Sequence, residues 1–531
     1  MRIAVLGFQG PLARETREEI ARRGHRIAED GAERVIYLPG RVDPSPDELA
    51  KIVERGGFAR LVVRSHAFVY GSSAKNPGLM TEDRVSLLPD DAPEQSWLRA
   101  EQVASRFPNW AAVRLTNVLA LEEGDLLVRQ LSAGVAMPLA GHDPNVQFIS
   151  LRDAARALVI AAESDATGIF NAAGSGAIPL KKAFRASGTT RIPLLKPFQS
   201  RIRDGSSIEE LQYNWTVSGE RAERELGFKP ELSTIQALAG FVKNKPGAQL
   251  ELLEKPYDDW GLDLDYIRAW GPWLAFLRRV YWRIDFEGME NIPPAGRALF
   301  ISNHRGFMPL DAVMHLSLVL THAHRVVRFI IIPGLLKFPF LCNFLTKLGG
   351  VVASQRNANL LFAQGNIVGT FPEGIRGTFQ PYKSTYRLRS FTKSAFAKMA
   401  IENQAPIIPA AVIGHSEIFP IIGRINWSYV TKEFDWPYFP IAPPFPFLPV
   451  VPNPTKWHVR ILKPVTLEGL KPEDAENEKL VREFSRYVQD IMQKNIDQMV
   501  SRRKSVLWGH ILDGSSPSIP SFKPAATPAG A

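Results

Sequence analysis

Residues 2–7 form a short apolar strand that runs into GFQGPLA (7–13) and then a helical stretch, RETREEIARRG, closed by Gly24. Strand, glycine turn and helix, in that order, are what a phosphate-binding α/β fold needs. The glycines admit a tight turn, and the helix start presents free amides. A plain strand–turn–helix connection has the same pattern, so the motif alone assigns nothing. With 531 residues the chain has room for two or more domains, each burying its own core. Cys342 is the single cysteine, which excludes an intramolecular disulfide or a cysteine metal cluster and fits a reducing compartment.

Charge is unevenly spread. Residues 1–242 hold 30 basic and 30 acidic side chains, so the whole net charge of +10 belongs to residues 243–531. A basic second half suits a polyanionic partner such as an anionic membrane surface. Nucleic acid is disfavoured, because the basic residues are dispersed among apolar loops and no recognition module is present. MRIAVLGFQG is not expected to be a signal peptide, and no uncharged stretch is long enough for a clear spanning helix. Residues 436–452 come closest, but seven of these 17 residues are proline, which predicts an irregular apolar loop.

Further segments of the first half carry more information: RLVVRSHAFVYGSS (60–73), AAVRLTNVLA (111–120), NVQFISLRDAARALVIAA (145–162), GIFNAAGSG (168–176) and SGERAERELGFKPELS (218–233). In this order they resemble an extended short-chain dehydrogenase/reductase of the NAD-dependent epimerase/dehydratase family, over residues 1–242. The resemblance implies a Rossmann-like doubly wound sheet and a place for NAD(P) at Gly7, Gly10 and Ala13, with Glu29 or Asp30 at the ribose. It also implies a serine, and a tyrosine four residues before a lysine. Ser65 stands at the expected strand end, but SWLRAEQVA (96–104) puts Trp97 and Glu101 where tyrosine and lysine belong. Tyr70 and Lys75 are five apart across a turn. The expectation is a degenerate dinucleotide-binding domain.

KNKPGAQLELLEKP leads into the second half, and residues 243–258 read as a linker. In WGLDLDYIRAWGPWLAFLRRVYWRIDF (260–286), Ile267, Trp270, Leu274, Leu277, Tyr281 and Ile284 recur at helical spacing. Arg268, Arg278, Arg279 and Arg283 lie among them, with four of the eleven tryptophans. Tryptophan with arginine suits a lipid headgroup layer, although a core helix with a solvated basic face has the same composition.

Chemistry concentrates in three blocks. RALFISNHRGFMPLDAVMHLSLVL (297–320) is a strand, Asn303-His304, a loop, then Asp311 opening a helix. A histidine with an aspartate to fix its tautomer suits general-base work. NIVGTFPEGIRG (366–377) is a strand ending in Phe371-Pro372-Glu373-Gly374, with Arg376 offering donors to a phosphate. QAPIIPAAVIG (404–414) reads as a buried strand. Together with LGGVVASQR (348–356), these blocks resemble the glycerolipid acyltransferase family that includes lysophosphatidic acid acyltransferases. That family implies a mixed-sheet α/β domain, here over residues 259–512, followed by a disordered tail at 513–531.

The resemblance further implies transfer of a fatty acyl group from acyl-CoA or acyl carrier protein to a hydroxyl of a (lyso)glycerolipid such as 1-acylglycerol-3-phosphate. His304 would be the base and Asp311 its orienter. Asn303, Arg356, Phe371, Pro372, Glu373, Gly374 and Arg376 would shape the substrate site, with no metal and no cofactor beyond the acyl thioester. Six residues separate His304 from Asp311 where the family commonly has four. That wider loop looks more like a branch related to monoacylglycerol and diacylglycerol acyltransferases, and it leaves open whether the acceptor carries a phosphate. The expected location is peripheral, on the cytoplasmic face of the membrane. An oxidoreductase with an accessory membrane domain and a non-enzymatic lipid-binding scaffold are the rival readings.

Overall fold

The structure, a computed structural model, describes residues 1–28, 30–40, 46–123, 125–195, 208–254, 257–391, 394–446 and 451–514, with 519 and 522. It divides into two compact units, Met1–Leu262 with Phe338–Thr346, and Asp263–Lys337 with Lys347–Ala531.

The first unit is built on a six-stranded sheet. In spatial order its strands are Gly168–Ala172, Trp110–Leu115, Arg60–His66, Arg34–Leu38, Arg2–Gly7 and Arg26–Ile27. All its pairings are parallel. The strands are apolar on both faces because helices cover both. Pro11–Arg22 and Leu151–Glu163 bury Leu12, Ala13, Ile20, Ala154 and Leu158 against one side. Pro46–Arg55 and Gln95–Ala104 bury Leu49, Ala100 and Ala104 against the other. This is the Rossmann-like doubly wound arrangement, with the order reversing at Arg2–Gly7. It is one strand short on the Arg26–Ile27 side, because only six residues separate that strand from Arg34.

Residues 243–258 belong to this first unit as far as they are described, which corrects the expectation of a linker. Leu250–Leu253 is a short 3-10 turn, and the apolar LELL run buries Leu253 in a core shared with Leu238 and Val242. The tail expected at 513–531 falls almost wholly outside the described residues.

The second unit has a seven-stranded mixed sheet. Its strands run Asp285–Glu287, His458–Ile461, Ile407–Ile413, Ala298–Ser302, Ile367–Thr370, Val327–Ile331 and Val351–Val352. Only His458–Ile461 against Ile407–Ile413 is antiparallel. The three sequence blocks are therefore neighbours. Ala298–Ser302 lies between Ile367–Thr370 and Ile407–Ile413, with Ile301 opposite both Thr370 and Pro409. Their carboxyl ends open at one edge, where a parallel α/β sheet places its ligands. The long helix Glu478–Arg502 covers the sheet, with Ile496 and Met499 packed on Ala411 and Ile413.

Two elements differ from the sequence reading. The tryptophan-rich helix spans Leu264–Phe276 and widens into a π-helical turn over Leu277–Tyr281, so Ile284 lies beyond it. Within the proline-rich run, Phe439–Ile441 is a strand paired with Gly423–Ile425. Its prolines are tolerated because this two-stranded ribbon is nearly all edge.

Candidate active site

Strand Ala298–Ser302 ends in Asn303-His304, and these two side chains face different tasks. Asn303 is buried and bonds both ways to the neighbouring strand: its Nδ2 donates to Val412 O and its Oδ1 accepts from Val412 N, each at 2.9 Å. His304 turns outward and keeps 12% of its side chain exposed. Its Nδ1 lies 2.6 Å from Asp311 Oδ2, and Nε2 makes no hydrogen bond among the described residues. With the carboxylate accepting from Nδ1–H, Nε2 carries the lone pair that a general base needs.

The wide loop closes by two devices. Gly306 takes φ +74°, a left-handed conformation that glycine adopts without strain. Phe307 is buried, with its ring 4.9 Å from Phe445, 5.0 Å from Phe419 and 5.9 Å from Trp436. The two extra residues thus buy an aromatic anchor, and the chain returns in time for Asp311 to open helix Leu310–Ala323. There the carboxylate accepts from Arg305 N at 3.3 Å and Ala312 N at 2.8 Å. Burial works to raise the Asp311 carboxyl, but the charge and hydrogen bond of His304 outweigh it and hold the group below the ordinary carboxylate range.

The second block supplies a wall. Phe371 stacks on the His304 imidazole, 4.0 Å between ring centroids and 15° between planes, and its other neighbour is Phe329 at 5.3 Å. Pro372 is half-buried beside it. Glu373 is buried, and its carboxylate is fully engaged: Arg305 Nη1 donates at 2.6 Å, Arg389 N at 2.7 Å and His304 N at 3.4 Å. Glu373 is therefore a brace behind the histidine. Gly374 is exposed at φ +55°, and Arg376 is exposed on the short helix Gly374–Thr378. Arg356 lies on helix Gln355–Ala363.

Three participants had no assigned role in the sequence. Arg305 is buried, and besides Glu373 it donates to the carbonyl oxygens of His304, Thr385 and Arg387. A lone charge in the otherwise apolar RGFMPL was its only signal. Gly377 allows the turn over the brace, since a Cβ there would lie 2.5 Å from Glu373 Cβ. His415 sits behind Asn303, its Nε2 3.3 Å from Asn303 Nδ2. Among the described residues no group of His, Cys, Asp and Glu is arranged to hold a metal. Burial also pushes the Cys342 thiol up to about 12.

In the first unit, a buried ion pair stands at Glu101 and Arg114, beside Ser65. Ser65 Oγ donates to Glu101 Oε1 at 2.5 Å, and Arg114 grips the same carboxylate through Nε at 2.8 Å and Nη2 at 2.6 Å. Tyr70 lies under the Arg114 guanidinium and donates to Asn171 Oδ1 at 2.8 Å. Burial pushes its phenol up to about 12, the wrong direction for proton exchange near neutrality. The glycine turn does fit the phosphate end of a dinucleotide. Gly7 has φ +90°, and Gly10 caps helix Pro11–Arg22 without a side chain over its amides. Ala13 is buried in the first turn, and Glu29 lies outside the described residues.

Residues 283–413 match the family model described as Acyltransferase, and the second unit carries an acyltransferase domain. The chain is an acyltransferase by class. Among curated proteins it is similar to an uncharacterized protein of Mycobacterium leprae, 28% identical over 302 residues, covering 56% of this chain and 79% of that one. It is also similar to a Bos taurus protein named as a DGAT1/2-independent enzyme synthesizing storage lipids. There the identity is 26% over 170 residues, covering 32% of this chain and 50% of the relative. Similar solved structures include the 1-acyl-sn-glycerophosphate acyltransferase PlsC of Thermotoga maritima, with 22% identity and TM-score 0.32, covering 46% of this chain and 81% of that one. Another is UDP-N-acetylglucosamine 4-epimerase of Bacillus cereus, with 15% identity and TM-score 0.35, covering 46% and 98%.

Two predictions follow from these buried charges. Glu101→Leu leaves the Arg114 guanidinium buried without its partner and is expected to cost about 3–5 kcal/mol, read as a lower urea midpoint. His315 and His415 are held neutral by burial, pushed down to about 4 and about 3. Between those values and the ordinary histidine value the unfolded chain binds more protons, so stability falls as pH drops from about 6.5 toward 4. His315→Asn is expected to flatten the urea midpoint against pH in that window.

Proposed function

We propose that the chain is a glycerolipid O-acyltransferase, moving a fatty acyl group from a thioester of coenzyme A or acyl carrier protein to a glycerolipid hydroxyl. The observation that supports this most is the 2.6 Å contact of His304 Nδ1 with Asp311 inside the matched acyltransferase domain, with Nε2 unbonded among the described residues. Nε2 takes the hydroxyl proton as the oxygen attacks the thioester carbonyl. The carbon–sulfur bond then breaks, and the leaving thiolate recovers the proton from the imidazolium, giving an ester and a free thiol. Asp311 offsets the imidazolium charge and fixes the tautomer. Phe371 holds the ring plane, the Arg305–Glu373 pair braces the loop, and Arg376 meets the acceptor. Synthesis of storage lipids by the bovine relative supports a glycerolipid acceptor.

The partner in this reading is a membrane surface on the cytoplasmic side. No helix among the described residues is long and apolar enough to cross a membrane. On the tryptophan-rich helix and its π-helical turn the outward side chains include Trp273, Phe276 and Val280, while Arg278 is buried, as are Trp260 before it and Trp282 after it. Arg278 is spent inside the unit, donating to Ser317 O and Thr321 Oγ1. The first unit is proposed as a dinucleotide-binding domain without redox turnover of its own. Gly7, Gly10 and Ala13 would hold the pyrophosphate of NAD(P). A bound nicotinamide supplies hydride transfer, but the Glu101–Arg114 pair leaves no acid to move the accompanying proton.

The deciding assay is thiol release from acyl-CoA by the full chain against a panel of lysolipids and glycerides. His304→Ala is expected to lower kcat by about 10²- to 10⁴-fold with the fold intact by circular dichroism, and Asp311→Asn to lower it in the same direction. Full-speed esterification by either variant would refute the assignment.

A further inference from the structure

The ribbon Gly423–Ile425/Phe439–Ile441 and the helix Ser428–Phe434 that it carries expose apolar side chains that a folded unit ordinarily hides. Ile422 is 67% exposed, Ile425 49%, Trp427 50% and Tyr429 58%. Four large apolar groups within eight residues are a patch rather than scattered surface. The patch is held firmly from behind. Phe439 lies 5.7 Å from Trp427 and 5.4 Å from Phe445, and Phe445 in turn packs on Phe307 of the loop between His304 and Asp311.

Arg424 interrupts the apolar run. With Arg376 and Arg389 it lines a cavity of about 540 Å³ beside Phe379 and Tyr438. None of the three guanidinium groups forms an ion pair or a side-chain hydrogen bond among the described residues, whereas the buried Arg305, Arg460 and Arg503 are each matched to a glutamate. An unpaired Arg424 in the same short run as an exposed tryptophan and tyrosine has the chemistry of a headgroup layer. Aromatic rings settle at its depth and arginine forks meet phosphate.

We propose that residues 422–429 are the docking surface for an anionic phospholipid bilayer, with Ile422, Ile425, Trp427 and Tyr429 entering the headgroup layer and Arg424 meeting lipid phosphate. This deepens the membrane-surface part of the function proposed above. It assigns the contact to this ribbon, distinct from the Trp273–Phe276–Val280 face. Through Phe439, Phe445 and Phe307 the same ribbon is tied to the catalytic loop, so docking would set His304 close to the lipid plane.

The test is co-sedimentation of the full chain with vesicles of phosphatidylcholine, alone or mixed with phosphatidylglycerol. The double variant Trp427→Ser/Tyr429→Ser is expected to lower vesicle partitioning at least about tenfold while leaving turnover of a short-chain, monomeric acceptor unchanged. Arg424→Ser is expected to lower binding to the mixed vesicles roughly fivefold and to leave phosphatidylcholine binding alone. Unchanged partitioning of the double variant overturns the proposal. So does loss of binding only in Trp273→Ser/Phe276→Ser, which would move the surface to the other face while the acyl-transfer reading stands. Conversely, absence of thiol release with every acceptor would remove that reading and leave the vesicle result to decide this one.

Discussion

The pairing of three parallel strands holds the second unit's chemistry together. Ala298–Ser302 runs between Ile367–Thr370 and Ile407–Ile413. Asn303 extends that pairing one residue past the strand end by replacing a backbone partner with its own amide, bonded to both polar groups of Val412. Because the amide is buried, each of its bonds is worth more than it would be in water, and leaving them unmade would be expensive. The consequence is geometric. The residue after Asn303 must leave the sheet in one direction, and that residue is His304.

Two buried ion pairs show how the same physics serves different ends. Arg305–Glu373 lies behind the His304 imidazole, where its rigidity fixes the loop that carries the ring. Arg114–Glu101 lies in the interior of the first unit, where it holds Ser65 through the same carboxylate. Arg305 satisfies its remaining donors with the carbonyl oxygens of His304, Thr385 and Arg387, whereas Arg114 Nη1 has no hydrogen-bond partner among the described residues and its guanidinium lies over the Tyr70 ring instead.

Much of this was legible in the residues. The strand–turn–helix at 2–24 and the apolar strands at 60–66 and 110–115 gave the parallel sheet, since buried strands read as continuous apolar runs. The three blocks at 298–311, 367–376 and 407–413 named the strands that prove to be adjacent. What could not be read was long-range. Nothing local distinguishes Trp273, which faces outward, from Trp282, which is buried against Trp457, 175 residues further along the chain. Arg278 reads as a solvated or lipid-facing charge until Ser317 and Thr321 of another helix are known to accept from it. The role of Glu373 was hidden for the same reason: its partner Arg305 lies 68 positions earlier.

The buried pair at positions 101 and 114 has a consequence for how the first unit can change. A lysine at position 101 alone would set two cations against each other in a dry interior, next to a tyrosine ring already occupied by one of them. An acidic residue at position 114 alone would set two carboxylates there instead. Each single change passes through a less stable protein, so the two positions are free to move only together.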